Sequence, residues 1–560
     1  MQTYSGAQIA CILLQRQGVK LVFGIPGGAI LPFYDALGQS GLRHILARHE
    51  QGAGFMAQGL ARATGQVGVA IATSGPGVAN LLTAIADANA DSIPLVCISG
   101  QVPQSLLGTD AFQEIDALGL ARPITKAAFM AHKPEDLLHL IPEAFRLAAS
   151  GRPGPVLIDF PKDVQLAHCA VASWPEPGKP DPQPRPDAAG LEKAAALLRA
   201  SQRPLLYVGG GVMQAGASGL ARRLAEHLDA PVAMTLMGLG AIAPEHPLAL
   251  GMLGMHAVPS TNLALQACDV LVALGARFDD RATGRLAAFC PDAKVVHVDI
   301  DPAELGKLRR PDAALHAGAG EALEALLRAC PPQTRPGWRA QVAALKAAHG
   351  HAAEGPGLGP AALMRACAEL LPEAMVTSDV GQHQMWVAQH YPFRRERQWL
   401  TSGGLGTMGF GLPAAIGAAL ADPSRPAICF SGDGSLLMNV QELATLAETG
   451  AWVKVVLLDN RSLGLVHQQQ DLFYGRRRFA SEFEAGPDWA ALARAFGVEA
   501  VDLEREDDPR AGLAAALQRP GPGLIRVPLS AQAKVFPMVP PGGANHEMLL
   551  ADPHDDAVKA

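Results

Sequence analysis

The chain of 560 residues has few aromatic residues, at 5%, and no strong excess of charge of either sign. Its 46 Lys and Arg stand against 53 Asp and Glu, so the formal net charge is −7, and this small excess is spread along the chain. Proteins that bind nucleic acid or acidic membrane surfaces carry a concentrated basic patch, and the sequence has no such footprint. With 49% hydrophobic and 18% charged residues, the composition also excludes a disordered chain and a coiled coil.

Cysteine is also scarce. The eight cysteines lie far apart and none forms a CxxC pair, which indicates reduced thiols rather than a disulfide framework or a zinc site. The N-terminus has no basic region followed by an apolar run, so no secretory signal is evident. Two uncharged stretches of 21 residues, 66–86 and 401–421, are interrupted by glycine and proline, which favours buried strand–turn–helix units over membrane spans. We therefore expect a soluble, cytoplasmic protein with no membrane partner.

Glycine and proline, in contrast, are abundant, at 59 and 44 residues. At about 150 residues per domain, the length predicts about three or four domains. The proline-rich run Trp174–Pro186 is typical of an extended linker, and a second punctuated region lies between residues 331 and 360. These breaks predict three domains, residues 1–170, 188–330 and 360–545.

Each of the three blocks alternates apolar strand-like runs with helical patterns. This alternation predicts α/β domains, each with a doubly wound parallel sheet that helices cover on both faces. The predicted strands are Leu21–Gly24, Val67–Thr73, Leu95–Gly100, Val156–Phe160, Pro204–Gly211, Val232–Thr235, Val270–Gly275, Val295–Asp299, Met375–Ser378, Ala427–Ser431, Val453–Asp459 and Leu524–Val527. Predicted helices include Asn80–Asn89, Pro134–Ala149 and Asn439–Thr449.

One strand–helix–strand unit of the third block carries a candidate metal site. Asp433 stands between two glycines at the end of a predicted strand, and Asn460 ends the next strand, 27 positions later. A right-handed crossover makes such strands parallel and usually neighbours, so we expect both side chains at the same sheet edge. Hard oxygen ligands beside glycine amides suit Mg²⁺ bridging a diphosphate. An ordinary tight turn is the alternative, and the paired spacing argues against it.

The spacing of Gly432-Asp433-Gly434 and Asn460 resembles the diphosphate and metal motif of thiamine diphosphate enzymes. Further runs, spread in order over roughly residues 3–548, are similar to the large catalytic subunits of the acetolactate synthase (acetohydroxyacid synthase) family. These runs are Phe23–Ala29, Arg48–Gly52, Ala72–Gly77, Gly108–Glu114, Gly275–Arg281, Asp299–Pro302, Asp379–Gln384, Gly406–Gly411 and Pro537–Gly542.

This resemblance implies a fold order, cofactors and partners. The three blocks would be a pyrimidine-binding domain, a central FAD-binding domain and a diphosphate-binding domain. The implied cofactors are thiamine diphosphate, Mg²⁺ and FAD, and the implied substrates are pyruvate and a second 2-oxo acid, in branched-chain amino-acid biosynthesis. A homodimer or homotetramer is also implied, with Glu50 of one chain meeting Asp433 of another, and a small regulatory subunit stays open as a partner.

The resemblance also assigns roles around thiamine diphosphate. Glu50 matches the glutamate that holds the aminopyrimidine ring so that the imino nitrogen removes the thiazolium C2 proton, and Met408 matches the bulky residue that props the cofactor into its bent form. The matching metal ligands are Asp433, Asn460 and Ser462. The remaining positions matched to this cofactor are Thr73, Pro76, Asn80, Gln382, His383, Gly406, Gly432, Gly434, Ser435 and Gly464.

Substrate and FAD positions follow from the same matching. Arg277 matches the arginine that binds the carboxylate of the second 2-oxo acid, a task that suits its bidentate fork. Gly28, Phe112, Gln113, Lys162 and Gln469 match positions of the same pocket, with catalytic roles for Gln113 and Lys162. The FAD positions are Gly209, Gly210, Gly211, Thr235, Leu236, Met252, Leu253, Gly254, Met255, His256, Gly275, Arg277, Asp279, Arg281, Asp299 and Ile300.

The sequence departs from the family pattern at Gln469. Family members usually have tryptophan there, and that ring shapes the acceptor pocket and favours 2-oxobutanoate over pyruvate. Losing one large apolar contact can shift substrate discrimination by about 1–3 kcal/mol. We therefore expect a weaker preference for 2-oxobutanoate and poor binding of inhibitors that stack on the tryptophan.

Alternative functions remain open at the level of sequence. An FAD-using pyruvate oxidase shares the cofactors and the domain order, although Arg277 and the run Gly108–Glu114 argue against it. A glyoxylate carboligase typically lacks the glutamate seen here as Glu50. The presence of Glu50, Asp433 and Asn460 argues against a non-catalytic paralogue. The departure from the family pattern at Gln469 leaves this alternative open.

Overall fold

A computed structural model describes residues 2–350 and 357–554. The second predicted break, between residues 331 and 360, includes residues 351–356, which lie outside the described residues. Within the described residues, the chain forms three parallel sheets of six strands each, with helices packed on them, and one short antiparallel pair. The predicted α/β fold class is confirmed.

The first sheet lies in the N-terminal part of the chain. Its region contains the strands β1 (Gln2–Ser5), β2 (Leu21–Gly24), β3 (Arg43–Leu46), β4 (Gly68–Ala72), β5 (Leu95–Gln101), β6 (Ala127–Met130), β7 (Pro155–Pro161) and β8 (His168–Val171). The helices are α1 (Gly6–Arg16), α2 (Leu31–Gly38), α3 (Glu50–Thr64), α4 (Pro76–Ala90), α5 (Ala117–Ala121), α6 (Leu137–Ala149) and α7 (Lys162–Leu166). β1 and β8 pair antiparallel, and the parallel sheet has the order β3-β2-β4-β5-β7-β6.

The second sheet follows the proline-rich linker. Its strands are β9 (Pro204–Val208), β10 (Val232–Met234), β11 (Ala249–Met252), β12 (Val270–Leu274), β13 (Lys294–Asp299) and β14 (Ala313–His316), in the order β11-β10-β9-β12-β13-β14. The helices are α8 (Ala188–Ala200), α9 (Gly210–Gln214), α10 (Ser218–Leu228), α11 (Pro259–Ala267), α12 (Asp280–Thr283), α13 (Ala319–Ala329) and α14 (Pro336–Ala348).

The third sheet carries the Asp433 motif. Its strands are β15 (Met375–Ser378), β16 (Trp399–Thr401), β17 (Ala427–Gly432), β18 (Val453–Asp459), β19 (Ala500–Asp502) and β20 (Gly523–Pro528), in the order β16-β15-β17-β18-β20-β19. The helices are α15 (Pro360–Leu370), α16 (Gln382–His390), α17 (Gly411–Ala421), α18 (Asp433–Leu436), α19 (Glu442–Thr449), α20 (Gly464–Phe473), α21 (Trp489–Ala495) and α22 (Pro509–Gln518).

The sequence predicts the four central strands of each sheet and misses the two edge strands. Central strands are buried on both faces and read as continuous apolar runs, as in β5 and β18, where every residue is buried. The edge strand β14, in contrast, alternates buried and exposed residues over four positions. The three predicted helices correspond to α4, α6 and α19, with starts displaced by about three or four residues, an ordinary error for helix ends.

Helices α3 and α17 join the first and third sheets within one chain. A Cβ on Gly59 would collide with the Ala414 carbonyl, and a Cβ on Gly417 would collide with the Met56 carbonyl. Glycine at these two positions lets the helix backbones approach closely. The crossing buries Phe55 of α3 against Phe410, with ring centroids 5.3 Å apart.

In the part of the chain that the structure describes, no helix has the length and apolar character that a membrane span requires. All eight cysteines are buried and free.

Candidate active site

Asp433 and Asn460 lie at the carboxyl ends of two neighbouring parallel strands. Strands β17 and β18 pair in a register that sets Gly432 opposite Leu458, so the residues that follow them emerge at one edge. Both side chains are buried, at 4% and 8% exposure, and both line one cavity of about 150 Å³. This cavity opens where the chain runs outward in opposite directions from β15 and β17, the place where open α/β sheets bind ligands.

The same cavity contains most of the predicted diphosphate-side residues. Its lining includes Gln382, His383, Met408, Gly432, Gly434, Ser435, Ser462 and Gly464. A Cβ on Gly432 would lie 2.9 Å from His383 Nδ1, and one on Gly434 would lie 2.7 Å from Leu463 Cδ2. A Cβ on Gly464 would collide with the Gln382 side chain. Glycine at these positions therefore lets the cavity-lining side chains pack directly against the backbone.

Two buried polar atoms at this cavity lack a hydrogen-bond partner among the described residues. These atoms are His383 Nε2 and Ser462 Oγ, although such groups are normally satisfied. Burial lowers the pKa of His383 to about 3, so its imidazole is neutral at pH 7. A neutral imidazole and a hydroxyl can donate to phosphate oxygens, so this polar surface fits a diphosphate.

The carboxyl of Asp433 is buried and lies close to a second carboxylate, Asp459. Burial raises the pKa of Asp433 to about 7, and the Asp459 carboxylate adds to the rise. The Gly434 amide, which donates to Oδ1 at 3.0 Å, acts in the opposite direction and lowers the pKa. Asn460 is oriented by two contacts: Nδ2 donates to Gln382 Oε1 at 3.1 Å and Oδ1 accepts from the Ser462 amide at 3.1 Å. A divalent cation would offset the buried carboxylate, and these oxygen donors suit Mg²⁺.

Met408 follows a loop that helix α4 fixes from the first sheet region. The loop amides of Gly403 and Gly404 donate to Asp91, at 2.9 and 2.6 Å. Thr407 Oγ1 donates to Asp87 at 2.9 Å, and the guanidinium of Arg62 pairs with both aspartates. Met408 lines the first cavity while Gly406 lines a second one, so this loop forms a wall between the two.

The second cavity, of about 830 Å³, is large enough for a dinucleotide and lies mainly at the carboxyl ends of the second sheet. It opens between β9 and β12, where that sheet changes direction. Its lining includes Gly209, Gly210, Gly211, Thr235, Leu236, Met252, Leu253, Met255, His256, Gly275, Arg277, Asp279, Arg281, Asp299, Ile300 and Gln469. Thr235 Oγ1 is buried without a partner among the described residues, and Gly209 packs against the Gly275 carbonyl. These features fit FAD.

Gly254 is the one predicted FAD position outside the lining of this cavity. Its φ is +99°, and a Cβ there would collide with the Arg281 carbonyl. Its amide and carbonyl both bond to the Asn262 side chain, at 3.1 and 2.9 Å. Gly254 therefore shapes the backbone behind the cavity.

The predicted residues of the first sheet region form a separate group within one chain. Glu50 begins α3 and accepts a 3.0 Å hydrogen bond from Asn80 Nδ2, and Gln113 packs against Gly75. Phe112 is 87% exposed. Within the described chain, Gly28, Glu50, Thr73, Pro76, Asn80, Phe112, Gln113 and Lys162 line neither of the two cavities. Within one chain, Glu50 thus does not line the cavity that Asp433 lines.

Two buried carboxylates were not predicted to act at the site. Asp379 accepts from the Gly409 and Gly411 amides, at 2.7 and 3.2 Å, and from Ser431 Oγ at 2.8 Å, so it links the backbone after Met408 to strand β17. Asp379 begins the run Asp379–Gln384, and the resemblance of that run to the family is the sequence signal that could have identified it. Glu442 of α19 accepts from the Arg48 and His49 amides, both at 3.0 Å. No local pattern marks Glu442, because its partners lie almost 400 residues away.

Comparisons with known proteins agree with this layout. The thiamine pyrophosphate enzyme N-terminal TPP binding domain matches residues 5–120, the central domain matches residues 191–326, and the C-terminal TPP binding domain matches residues 379–527. The chain therefore contains both thiamine diphosphate-binding domains of that family.

Relatives that match almost the whole chain identify a more specific family. The acetolactate synthase isozyme 1 large subunit of Escherichia coli K12 is 53% identical over 98% of both chains. The isozyme 2 large subunit of that organism is 47% identical over 97% of this chain and 99% of its own. A probable acetolactate synthase large subunit of Methanocaldococcus jannaschii is 45% identical over 96% of this chain and 94% of its own. The chain belongs to the acetolactate synthase large-subunit family, the thiamine diphosphate enzymes of branched-chain amino-acid biosynthesis.

Proposed function

We propose that this chain decarboxylates pyruvate and joins the remaining two-carbon unit to a second 2-oxo acid, pyruvate or 2-oxobutanoate. The products are 2-acetolactate and 2-aceto-2-hydroxybutanoate. The observation that carries the proposal is the meeting of Asp433 and Asn460 in one glycine-lined cavity at a sheet edge. Close similarity to acetolactate synthase large subunits over almost the whole chain supports the same reaction.

The first cavity would hold Mg²⁺ and the diphosphate of thiamine diphosphate. Asp433, Asn460 and the Ser462 carbonyl are the proposed metal ligands. Gln382, His383, Gly432, Gly434, Ser435 and Gly464 would hold the diphosphate, and Met408 and Gly406 would contact the rest of the cofactor. When bound, the cofactor supplies the electron sink that decarboxylation of a 2-oxo acid needs.

Glu50 has a proton-transfer role in this proposal. Its carboxyl would bond to a pyrimidine ring nitrogen and exchange a proton there, while Thr73, Pro76 and Asn80 surround the ring. The Asn80 amide already holds one Glu50 oxygen at 3.0 Å, which leaves the other oxygen for the cofactor.

The active unit is proposed to be a homodimer, or a homotetramer built from two dimers. Glu50 and its neighbours line neither cavity of their own chain, so the site is incomplete without a second copy. In the dimer, Glu50 of the partner subunit would meet the cavity that Asp433 lines. Burial of the exposed Phe112 at such an interface would bring Gln113 and Lys162 to the reacting substrate.

Acceptor binding is assigned to residues that line the second cavity. Arg277 lines the second cavity, and its Nη1 donates to the Ala90 carbonyl at 2.9 Å. Because a guanidinium has five N–H donors, the rest of its fork stays free for a carboxylate. Gln469 lines the same cavity and would contact the acceptor side chain, together with Gly28 and Phe112 across the interface.

FAD would occupy the second cavity without net redox work, because carboligation moves no electrons to an acceptor. We also propose a small regulatory subunit as a partner, on the ground that the relatives are large subunits. The domain limits 1–170, 188–330 and 360–545 remain a prediction.

The test is a product analysis by mass. Purified protein is loaded with thiamine diphosphate, Mg²⁺ and FAD and given pyruvate, alone or with equimolar 2-oxobutanoate. We expect 2-acetolactate from pyruvate, and at least about a 100-fold loss of turnover in Glu50→Gln, since general acid–base groups contribute that much. Acetate or acetyl phosphate together with reduced flavin would assign an oxidase instead. No turnover with cofactors bound would count against the proposal.

A further inference from the structure

We propose that Glu442 is a positioning residue for Glu50. Its buried carboxylate fixes the backbone from which α3 begins, and so places the Glu50 carboxyl, while Glu442 itself lines neither cavity. The inference deepens the proposed function and rests on the role given there to Glu50.

One carboxylate oxygen of Glu442 contacts the two residues just before Glu50. Glu442 is 0% exposed, and its Oε1 accepts hydrogen bonds from the amides of Arg48 and His49, both at 3.0 Å. Its Oε2 accepts from Thr445 Oγ1 at 2.7 Å. Glu50 is the next residue of the chain and the first of α3, so the two amides held by Glu442 set its direction.

A carboxylate suits this place for electrostatic reasons. Amides at the start of a helix lack intrahelical partners and carry partial positive charge. Burial raises the pKa of Glu442, whereas the Thr445 hydroxyl and the two amides favour its ionised form. The Arg48 guanidinium lies nearby and pairs with Glu448 at the surface. The hydrogen bonds to the Arg48 and His49 amides therefore offset the desolvation cost of the Glu442 carboxylate, because these amides would otherwise be left without a partner.

Two further contacts show that α19 and α3 fit each other closely at this point. A Cβ on Gly52 would collide with Glu442 Oε1, so glycine is required where the carboxylate enters. Asn439 Nδ2 donates to Gln51 Oε1 at 3.0 Å and to the Gly409 carbonyl at 2.8 Å. The segment that starts at Asp433 thus holds residues on both sides of Glu50.

The experiment compares Glu442→Ala, Glu442→Gln and Glu50→Gln in the enzyme loaded with thiamine diphosphate, Mg²⁺ and FAD. The main readout is the exchange rate of the cofactor C2 proton with D₂O, measured by NMR after acid quench. Cofactor affinity, kcat and the KM for pyruvate are measured beside it. Glu448→Gln is the matched control, because Glu448 lies on the same helix and pairs with the Arg48 side chain at the surface.

We expect Glu442→Ala to slow the exchange and kcat by about tenfold or more, which is part of the roughly 10²–10⁴-fold that a general acid–base group contributes. The KM and cofactor affinity should stay within about threefold. Glu442→Gln keeps an acceptor oxygen for both amides, so its exchange rate should stay within about threefold of the parent. Glu448→Gln should match the parent. A normal exchange rate in Glu442→Gln, with a slow rate in Glu442→Ala, would show that Glu442 acts by accepting hydrogen bonds and not by its charge.

Unchanged exchange in Glu442→Ala would overturn the inference, and so would an equal loss in the alanine and glutamine variants. If Glu442→Ala does not fold, Thr445→Val replaces it: slower exchange supports the inference and unchanged exchange overturns it. Failure of the proposed function is seen separately, because normal exchange in Glu50→Gln would remove the role of Glu50 itself and the inference with it.

Discussion

Gln382 donates a hydrogen bond of 3.0 Å from its Nε2 to Oε1 of Gln468. Gln382 also accepts from Asn460, and Gln468 bonds to the Val535 backbone through both ends of its amide. Helix α20 is therefore fixed to the metal side of the first cavity. The next residue on that helix is Gln469, which lines the second cavity, so the proposed acceptor pocket and the proposed metal site are both attached to α20.

Replacing Gln469 by tryptophan should restore a preference for 2-oxobutanoate over pyruvate as acceptor. A large ring adds apolar contact with the extra methyl group of that acid, worth about 1–3 kcal/mol, or about 10- to 200-fold in the product ratio. The measurement is the ratio of acetohydroxybutyrate to acetolactate formed in competition. Gln470→Trp serves as the control because Gln470 lines neither cavity. A strong 2-oxobutanoate preference in the parent chain would contradict this reading of Gln469.

Arg277→Lys should raise the KM for the second 2-oxo acid by about tenfold, because an ammonium cannot make the bidentate contact of a guanidinium. The remaining charge should preserve part of the binding. Initial rates against acceptor concentration give the KM. Arg285→Lys is the control, since Arg285 pairs with Glu547 at the surface; equal effects in both variants would argue against carboxylate binding by Arg277.

Asp433→Asn should raise the Mg²⁺ concentration that half-saturates thiamine diphosphate binding by at least about tenfold, because an anionic oxygen is replaced by a neutral one of the same size. The binding signal is read as a change in protein fluorescence while Mg²⁺ is titrated. Asp187→Asn, at the exposed cap of α8, should leave the titration unchanged. An unaltered midpoint in Asp433→Asn would remove Asp433 from the ligand set.

Asp87→Asn should flatten the dependence of stability on pH between about 4 and 6. Burial raises the pKa of Asp87 to about 6, Asp91 adds to the rise, and Arg62 opposes it. An unfolded aspartate titrates near about 3.9, so the folded state binds the extra proton in this window and stability falls as pH rises through it. Thermal midpoints at several pH values, compared with Asp187→Asn, test this. The same slope in Asp87→Asn and the parent would refute it.

The sequence predicts the central strands because burial on both faces leaves a continuous apolar run. It also predicts that Asp433 and Asn460 lie at one sheet edge, because a crossover connection determines which strand ends are neighbours. The edge strand β14 alternates buried and exposed residues over four positions, so it carries only about half of that apolar signal. Local pattern also predicts the proline-rich linker, since alternate prolines restrict the backbone whatever surrounds them.

Long-range pairing lies beyond such local signals. Glu442 reads as one charge in an ordinary helix, and only the packing of α19 against α3 reveals its partners. Asp87 and Asp91 read in the same way as polar positions on a helix, although they hold the loop before Met408. The assignment of Gly254 to FAD with its neighbours stays a prediction, and its positive φ and its hydrogen bonds to Asn262 show a backbone role that the sequence does not indicate.

Glu50 lies outside the cavity that Asp433 lines in its own chain, and this has a genetic consequence. In a C2 dimer that shares its sites, two inactive alleles, one Glu50→Gln and one Asp433→Asn, complement each other. Mixed dimers contain one doubly damaged site and one intact site, so random pairing leaves about a quarter of all sites active. Two alleles that both damage the Asp433 side leave none, and their failure to complement maps which residues each chain lends to its neighbour.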